Sequence, residues 1–320
     1  MTSHALHIMN TSENFVFLLG AGRSGTTLLY KVLSAHPDIA YLSNYQNRWP
    51  GWPSTALFHR LLNRFPEAKR KAWFKKGGGA YFNEKRNRLQ SLVPTPAEAE
   101  SVYHSCGLPL TPAPDFEVDP RLVTCLNTKL GRIRNLSGAR VLLTKRTANN
   151  RRIPQLARIF PDAKYIHLVR DGRAVAYSLP RVSWWDDHVL YWAGKTPSQM
   201  VFEGADPLVL AATNWVEEMK SLETVLPLIK PANLLEVRYE KLLEDPLNEI
   251  GRMVEFMGLG ASLPDAYRAL IESLQLKPRE ETWLKGWSPT DKRRVLDIQL
   301  DVLNRWGYVP AIARRSNSGA

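Results

Sequence analysis

Short apolar runs alternate with amphipathic segments along most of the chain. Each run has three to five residues and leads through a polar or glycine-rich turn into a segment of helical periodicity. Strands that are buried on both faces and alternate with helices are typical of a parallel sheet. We therefore expect an α/β fold, with a central parallel β-sheet flanked by helices. The predicted strands are Phe15–Leu19, Val141–Leu143, Tyr165–Val169 and Leu234–Val237.

Two regions interrupt this alternation. Residues 48–120 are rich in proline, tryptophan and charge, and we expect them to form an inserted lid or acceptor-binding region. Residues 181–207 contain three tryptophans with few periodic cues, and we interpret them as an acceptor loop region. The sequence shows no interdomain linker, so residues 1–320 are predicted to form a single domain.

Composition excludes several classes of protein. With 44% hydrophobic and 10% aromatic residues the chain is not a disordered polymer. No apolar run approaches the ~20 residues that a membrane-spanning helix needs. Residues 1–14 lack the pattern of a secretory signal. Cys106 and Cys125 are predicted to be free thiols of a reducing compartment, and we expect a cytoplasmic protein.

The formal charge of +12 is concentrated in two stretches. Arg60 to Arg88 contains ten basic and two acidic residues, and Arg121 to Arg158 contains ten basic residues and no acid. Such stretches suit nucleic acid, an anionic membrane surface or a phosphate-bearing small molecule, and they also occur as plain solvated surface. Composition alone does not decide between these partners.

A glycine loop, GAGRSGTT from Gly20 to Thr27, follows the first predicted strand and precedes a predicted helix. Glycine lets the backbone approach an anion closely, and the N–H groups that begin a helix attract that anion. Gly20 and Gly25 keep the spacing of a nucleoside-triphosphate loop, but Thr26 replaces the lysine that reaches the β- and γ-phosphates. Arg23 offers instead a forked guanidinium suited to a tetrahedral oxyanion. The loop therefore predicts a compact anion site.

A second anion site is predicted at the end of the strand that finishes at Val169. Arg170 follows this strand, Asp171 can cap the next helix, and Ser178 lies eight residues after Arg170. Eight residues are slightly more than two helical turns, so the hydroxyl can face the same side as the helix start. Open α/β sheets bind ligands in the crevice at these strand ends.

These motifs together resemble those of sulfotransferases that use 3′-phosphoadenosine 5′-phosphosulfate (PAPS). The glycine loop resembles the family's 5′-phosphosulfate loop, and the segment with Arg170 and Ser178 resembles its 3′-phosphate motif. The resemblance implies the P-loop-like fold of that family with helical and loop insertions, as in bacterial members. The segments that carry it are Gly20–Leu29, Ala35–Asp38, Phe160–Ser178, Val237–Pro246, Trp283–Trp287 and Arg305–Tyr308.

The resemblance also implies roles for individual residues, with PAPS as the donor and no metal. Lys145 matches the lysine beside the transferring sulfuryl group, where it offsets charge on the bridging oxygen. It is also one more member of a basic strand end. The implied donor ligands are Gly22, Arg23, Ser24, Gly25, Thr26 and Thr27 for the phosphosulfate, Arg170, Ser178, Lys285 and Gly286 for the 3′-phosphate, and Tyr239 near the adenine.

The catalytic base of the family cannot be carried over. Thr147 stands where one branch has a histidine, and Ser43-Asn44 stands where another has a glutamate. Asp187 and His188, which follow a tryptophan pair in the acceptor loop region, are our preferred substitutes. The other candidates are Asp186, His59 and His104, whereas His36 and His167 are expected to be structural.

We therefore predict transfer of the sulfuryl group of PAPS to a hydroxyl or amine acceptor, with release of 3′,5′-ADP. The expected acceptor is a carbohydrate, a lipid or a small metabolite. The Arg60–Arg88 stretch suggests either an anionic acceptor or a lipid-linked acceptor held at a membrane surface. The alternative is a P-loop phosphotransferase acting on a nucleotide or sugar. A nucleic-acid-binding protein is disfavoured because its usual motifs are missing from the sequence. The oligomeric state is not predicted.

Overall fold

A sheet of five parallel strands lies at the centre of the computed structural model, which describes residues 12–63, 65–74, 92–113, 115–278 and 282–309. The predicted α/β architecture and its four predicted strands are confirmed. A fifth strand, three residues long, is too short to stand out in the apolar pattern. The strands are β1 (Phe15–Leu19), β2 (Ile39–Tyr41), β3 (Val141–Lys145), β4 (Lys164–Val169) and β5 (Leu234–Arg238). Their spatial order is β2-β3-β1-β4-β5.

Helices cover both faces of the sheet. Among those in the described residues, none has the length and apolar character needed to cross a bilayer. The helices are α1 (Thr26–Ser34), α2 (Asn44–Arg48), α3 (Leu57–Leu62), α4 (Pro66–Trp73), α5 (Glu100–His104), α6 (Pro120–Ser137), α7 (Asn149–Ile159), α8 (Gly172–Ser178), α9 (Pro197–Phe202), α10 (Pro207–Val225), α11 (Tyr239–Glu244), α12 (Pro246–Phe256), α13 (Asp265–Ser273), α14 (Thr282–Gly286) and α15 (Pro289–Arg305).

The alternating side chains of β1 divide between two hydrophobic cores. Phe15, Phe17 and Leu19 pack in the core that α6, α7, α8, α10 and α15 cover. Val16 and Leu18 point the other way, into the core that α1, α4, α12 and α13 cover. Because β1 is central, its carboxyl end lies between those of β3 and β4. The loops that leave these three strands therefore meet at one edge of the sheet.

The described part of residues 48–120 contributes to both cores. Trp73 of α4 is buried in the second core, and its indole nitrogen donates to the Pro94 carbonyl at 3.0 Å. Val102 and Tyr103 of α5 are buried in the first core. In contrast, α3 has large apolar residues on its exposed side. This region is thus partly built into the domain.

The prediction that the cysteines are free thiols is wrong, because Cys106 and Cys125 form a disulfide. Cys106 lies in the turn after α5 and Cys125 lies on α6, 19 residues further on. The packing of this turn against α6 brings their Cα atoms to 5.6 Å, a normal separation for a disulfide. The cysteines therefore give no support to a reducing compartment.

Candidate active site

The glycine loop lies at the carboxyl end of β1, and its backbone requires glycine at two positions. A Cβ on Gly20 would lie 2.6 Å from the Leu168 carbonyl oxygen, and one on Gly25 would lie 2.4 Å from the Tyr239 ring. Both glycines and Arg23 have positive φ angles. This backbone conformation is energetically costly for a residue with a side chain such as Arg23. The loop is thus held against β4 and against the residue that follows β5.

Asn150, on α7, fixes the start of this loop. Its side-chain oxygen accepts from the Gly20 N–H at 3.1 Å, and its amide nitrogen donates to the Gly20 carbonyl at 3.0 Å. The same amide donates to Glu218 at 3.3 Å, and Glu218 pairs with Arg151 at 3.0 Å. This role is not visible in the sequence, because an asparagine in a basic helix belongs to no recognised motif. Asn150 acts on the loop without facing its ligand side.

The two predicted anion sites adjoin through Arg23. The Arg23 Nε donates to the Ser178 hydroxyl at 2.9 Å, and Arg170 Nη1 donates to the Arg23 carbonyl at 2.9 Å. The Arg170 guanidinium also lies 4.5 Å from the centre of the Tyr239 ring. Burial and the charge of Arg170 lower the pKa of Arg23. An anion bound beside both guanidinium groups would offset this repulsion between their charges.

The segment with Lys285 and Gly286 packs against α8, next to Ser178. A Cβ on Gly286 would lie 1.9 Å from the Tyr177 hydroxyl, so a larger residue here would have to displace the Tyr177 ring. The Tyr177 ring meets Trp287 edge to face, with 5.2 Å between centroids. The structure thus packs the carboxyl-terminal segment against Tyr177 of the helix that carries Ser178.

Glu240, which follows β5, stabilises the turn that carries the second anion site. The Asp171 side chain accepts from the Arg173 N–H at 2.8 Å and caps α8, as predicted. The Asp171 N–H in turn donates to Glu240 at 3.1 Å, and the Tyr308 hydroxyl donates to the same carboxylate at 2.9 Å. The turn that carries Arg170 is therefore fixed at both its N–H and its side-chain cap.

Lys145 ends β3 on the other side of the glycine loop. Its ammonium group is buried and lies 3.4 Å from the Thr27 hydroxyl. It forms an ion pair with Glu98, which also pairs with Arg146. Burial would raise the pKa of Glu98, but the charges of Lys145 and Arg146 outweigh it and lower that pKa to about 2. The sequence did not single out Glu98.

The acceptor loop region lies close to the same edge. The position of a Cβ on Gly22 is 4.0 Å from the Trp184 ring, and that ring contacts His188 with 5.5 Å between centroids. Burial lowers the pKa of His188, and so do the charges of Arg151 and Arg146, while Glu98 opposes them. Asp187 is exposed in the same turn. His188 is exposed beside Trp184, within reach of the charges of Arg146 and Glu98.

Of the other histidines named from the sequence, His104 is exposed at the end of α5, and three are buried. His36 is buried, and its Nδ1 accepts from the Asp38 N–H at 3.1 Å. His167 is buried inside β4 and meets Trp306 edge to face. His59 is buried and stacks on Tyr41 with 4.1 Å between centroids. These three rings have packing roles.

The fold and the site together define a class of protein. A glycine loop at the end of the central parallel strand, followed by a helix and surrounded by cations, is typical of P-loop-like α/β proteins that bind a phosphate-type anion. The substitution of Thr26 for the usual lysine sets this chain apart from nucleoside triphosphatases.

The chain belongs to the sulfotransferase family, because residues 16–263 match the sequence profile of that family. It is 25% identical over 317 residues to omega-hydroxy-beta-dihydromenaquinone-9 sulfotransferase Stf3 of Mycobacterium bovis, which covers 92% of this chain and 75% of the relative. It is 22% identical over 312 residues to protein-tyrosine sulfotransferase 2 of Gallus gallus, which covers 97% of this chain and 67% of the relative. Sulfotransferase STF9 from Mycobacterium avium shares the fold, with a TM-score of 0.56, 16% identity and coverage of 92% of this chain and 77% of that one. The chain is thus an enzyme of this family.

Proposed function

We propose that this enzyme transfers the sulfuryl group of PAPS to a hydroxyl or amine acceptor and releases 3′,5′-ADP. The observation that carries the proposal is the contact between the two anion sites, where Arg23 bonds to Ser178 and Arg170 bonds to Arg23. PAPS has a phosphosulfate on the 5′ oxygen and a phosphate on the 3′ oxygen of its ribose, so it needs two such sites side by side. A ligand with a single phosphate group would leave one of them unused.

The residues of the glycine loop fit the phosphosulfate end of this donor. The N–H groups of Gly25, Thr26 and Thr27 lie at the start of α1, whereas the Ser24 N–H already donates to the Ala21 carbonyl at 3.1 Å. The absence of side chains at Gly20 and Gly25 lets the backbone wrap closely around an anion. We propose that Arg23 neutralises this anion and the charge of the departing phosphate. Gly22, which faces Trp184, completes the loop.

The 3′-phosphate is assigned to Arg170, Ser178 and the Lys285–Gly286 segment. Tyr239 supports this end, since its ring packs on Gly25 and under the Arg170 guanidinium. Its proposed contact with the adenine remains a prediction.

Lys145 is proposed to stabilise charge on the bridging oxygen as the bond from sulfur to that oxygen breaks. Its ammonium lies beside Thr27, the last loop residue, so it is near the expected position of the phosphosulfate. A cation held in a poorly solvated position stabilises developing charge more strongly than one in water. His188 and Asp187 remain predictions for the proton acceptor on the side of the acceptor loop region.

An exposed apolar surface supports a lipid or another membrane-held acceptor. Its six large side chains are 43–67% exposed, whereas Ala56 and His59 of the same segment are buried. Arg48, Arg60 and Lys71 of this segment are also exposed. Large apolar groups flanked by cations favour an anionic bilayer surface. The apolar surface consists of Trp49, Trp52, Leu57, Phe58, Leu61 and Phe65.

The names of two relatives support a hydroxyl-bearing acceptor. The mycobacterial relative is named for a hydroxylated dihydromenaquinone, and the avian one for protein tyrosine. Both acceptors carry a hydroxyl group. We favour a hydroxyl-bearing lipid for this chain because of its apolar surface, and a carbohydrate or small metabolite is the alternative acceptor of the same reaction.

Calorimetry tests the donor half of the proposal. The wild-type chain is expected to bind 3′,5′-ADP much more tightly than 5′-AMP, because only the former has a 3′-phosphate. Replacement of Arg170 by Ala should weaken 3′,5′-ADP binding by about 10- to 150-fold, the loss of a charged hydrogen bond worth about 1.5–3 kcal/mol. Arg158→Ala is the matched control, since Arg158 is exposed on α7. Equal affinities for the two nucleotides would remove the 3′-phosphate site from the proposal.

Transfer of label tests the acceptor half. The enzyme would be incubated with sulfur-labelled PAPS and with separated lipid, glycan and polar-metabolite fractions, and we expect label in the lipid fraction. Label in another fraction would reassign the acceptor. The phosphotransferase alternative predicts instead that phosphate from labelled ATP and Mg²⁺ is transferred while PAPS is inert.

A further inference from the structure

A carboxylate that belongs to neither known base position lies beside the proposed transfer site. It is Glu98, whose oxygens pair with Lys145 and Arg146. Its side chain is 34% exposed, whereas that of Lys145 is only 6% exposed. Glu98 therefore meets both the buried lysine and the solvent side, from which an acceptor must approach.

The segment before Glu98 is hydrogen-bonded to the residues that follow β2. The segment before Glu98 runs beside the end of β2, where the Ala97 N–H donates to the Leu42 carbonyl at 2.8 Å and the Asn44 N–H donates to the Thr95 carbonyl at 3.0 Å. The Asn44 side chain also accepts from the Thr95 N–H at 2.8 Å. Asn44, which with Ser43 stands where the resemblance implies a glutamate in one branch, thus holds the segment that leads to Glu98.

The next residues fix the segment on its other side. Glu100, at the start of α5, pairs with Arg146 at 2.9 Å and with the buried Arg152. The Ser101 hydroxyl contacts the Asn47 main chain of α2. Glu98 is therefore held between two anchored points, beside the end of β3.

We propose that Glu98 is the general base of the transfer reaction, an inference that rests on the proposed function. In this step the acceptor oxygen forms a bond to sulfur, and its proton moves to a Glu98 carboxylate oxygen. The bond between sulfur and the bridging oxygen breaks, and its electron pair stays on the phosphate of 3′,5′-ADP, beside Lys145. The proton then leaves to solvent from the exposed side of Glu98.

The ion pairs of Glu98 are compatible with this role. A carboxylate oxygen has two lone pairs, so each Glu98 oxygen can bind its cation and still accept from an acceptor hydroxyl. The hydroxyl becomes a strong acid as its oxygen bonds to sulfur, so even a weakly basic carboxylate can take the proton late in the step. A positioned base of this kind contributes about 10²- to 10⁴-fold to the rate.

The test compares acceptors that do and do not need a base. The variants are Glu98→Gln, the competing base His188→Gln, and Glu67→Gln as a control that removes an exposed carboxylate of the same region. The acceptors are phenol, which must lose a proton, and 4-nitrophenol at mildly alkaline pH, which is already ionised. Transfer from labelled PAPS and calorimetric binding of 3′,5′-ADP are measured for each variant.

Glu98→Gln should lose about 10²- to 10⁴-fold in transfer to phenol, keep most of its transfer to 4-nitrophenolate, and bind 3′,5′-ADP like the wild type. Equal losses with both acceptors, or about tenfold weaker 3′,5′-ADP binding, would mean that Glu98 only positions Lys145. A phenol-selective loss in His188→Gln instead would assign the base to the acceptor loop region. If the wild type fails to bind 3′,5′-ADP, the donor proposal fails, which is a separate result.

Discussion

The hydrogen bonds between Asn150 and Gly20 predict that a residue with no direct contact to the proposed ligand controls the glycine loop. Asn150 is fully buried and satisfies both the N–H and the carbonyl of Gly20, at 3.1 and 3.0 Å. Gly20 cannot shift easily towards β4, because the Leu168 carbonyl is already close to it. Replacement of Asn150 by Ala therefore leaves two polar groups of a buried residue without their partners.

The magnitude follows from these two groups. An unsatisfied buried donor or acceptor costs about 1–3 kcal/mol, so Asn150→Ala should lower the free energy of unfolding by about 2–6 kcal/mol. The amide also bonds to buried Glu218, whose own partner Arg151 remains in place. A domain in the middle of the usual range of about 5–15 kcal/mol should still fold after this loss, but with a weakened loop.

Urea denaturation measures the stability of this variant, and calorimetry with 3′,5′-ADP measures its loop. Asn135→Ala is the control, because Asn135 is an exposed helical asparagine whose loss should stay within about 0.5 kcal/mol. We expect a clear loss of stability and weaker nucleotide binding in Asn150→Ala only. A stability within about 0.5 kcal/mol of the wild type together with unchanged nucleotide affinity would refute the reasoning.

Three further predictions concern other parts of the molecule. Replacing Cys106 and Cys125 by Ser should cost about 3 kcal/mol of stability, the chain-entropy value for a loop of this length, and denaturation of the oxidised wild type beside the variant measures it. Phe58→Ser with Leu61→Ser should reduce binding to anionic vesicles in flotation assays by about tenfold or more, since each buried side chain is worth about 1.5–3 kcal/mol, while 3′,5′-ADP binding is unchanged. Burial and the charge of Lys69 lower the pKa of His59 to about 3. The contribution of His59 to the free energy of unfolding should therefore be fully present above its unfolded pKa of about 6.5. It should be lost on acidification towards pH 3, by up to about 1.4 kcal/mol per pH unit. His59→Phe keeps the stack on Tyr41 and should remove that part of the slope in urea titrations, whereas an unchanged slope would assign it to other groups.

The sequence predicted most of the strands, the glycine loop and the helix cap, because these depend on neighbouring residues alone. Runs such as Phe15–Leu19 are buried on both faces, so their apolar character alone marks them as strands. The glycine loop and the Asp171 cap follow from backbone conformations that few residues adopt well. The structure accordingly brings Arg23, Arg170 and Ser178 together, although they lie far apart in the chain.

Long-range packing decided the rest, and no local pattern could reveal it. The disulfide depends on how the turn after α5 lies on α6, a contact between elements rather than a spacing of cysteines. The pairing of Asn150 with Gly20 spans 130 residues. In the same way, adjacent tryptophans have different fates, since Trp185 is buried and Trp184 is exposed beside the loop. Side chains that act on a site from another element are therefore the ones that sequence reasoning missed.

Glu98 shows why the proposed proton acceptor could not be found by matching the sequence to the family's base positions. A base needs only to reach the acceptor oxygen, so any segment that passes the end of β3 can supply it. In this chain the passing segment belongs to residues 48–120, which the sequence suggested only as an inserted lid or acceptor region. Asn44 is one of the two residues, with Ser43, at the place where the resemblance implies a glutamate, and its side chain and N–H both bond to Thr95, which holds the segment that ends in Glu98. Asn44 therefore couples the inserted region to the sheet, and its replacement by Ala should displace Glu98 from Lys145 without removing any charged group from the site.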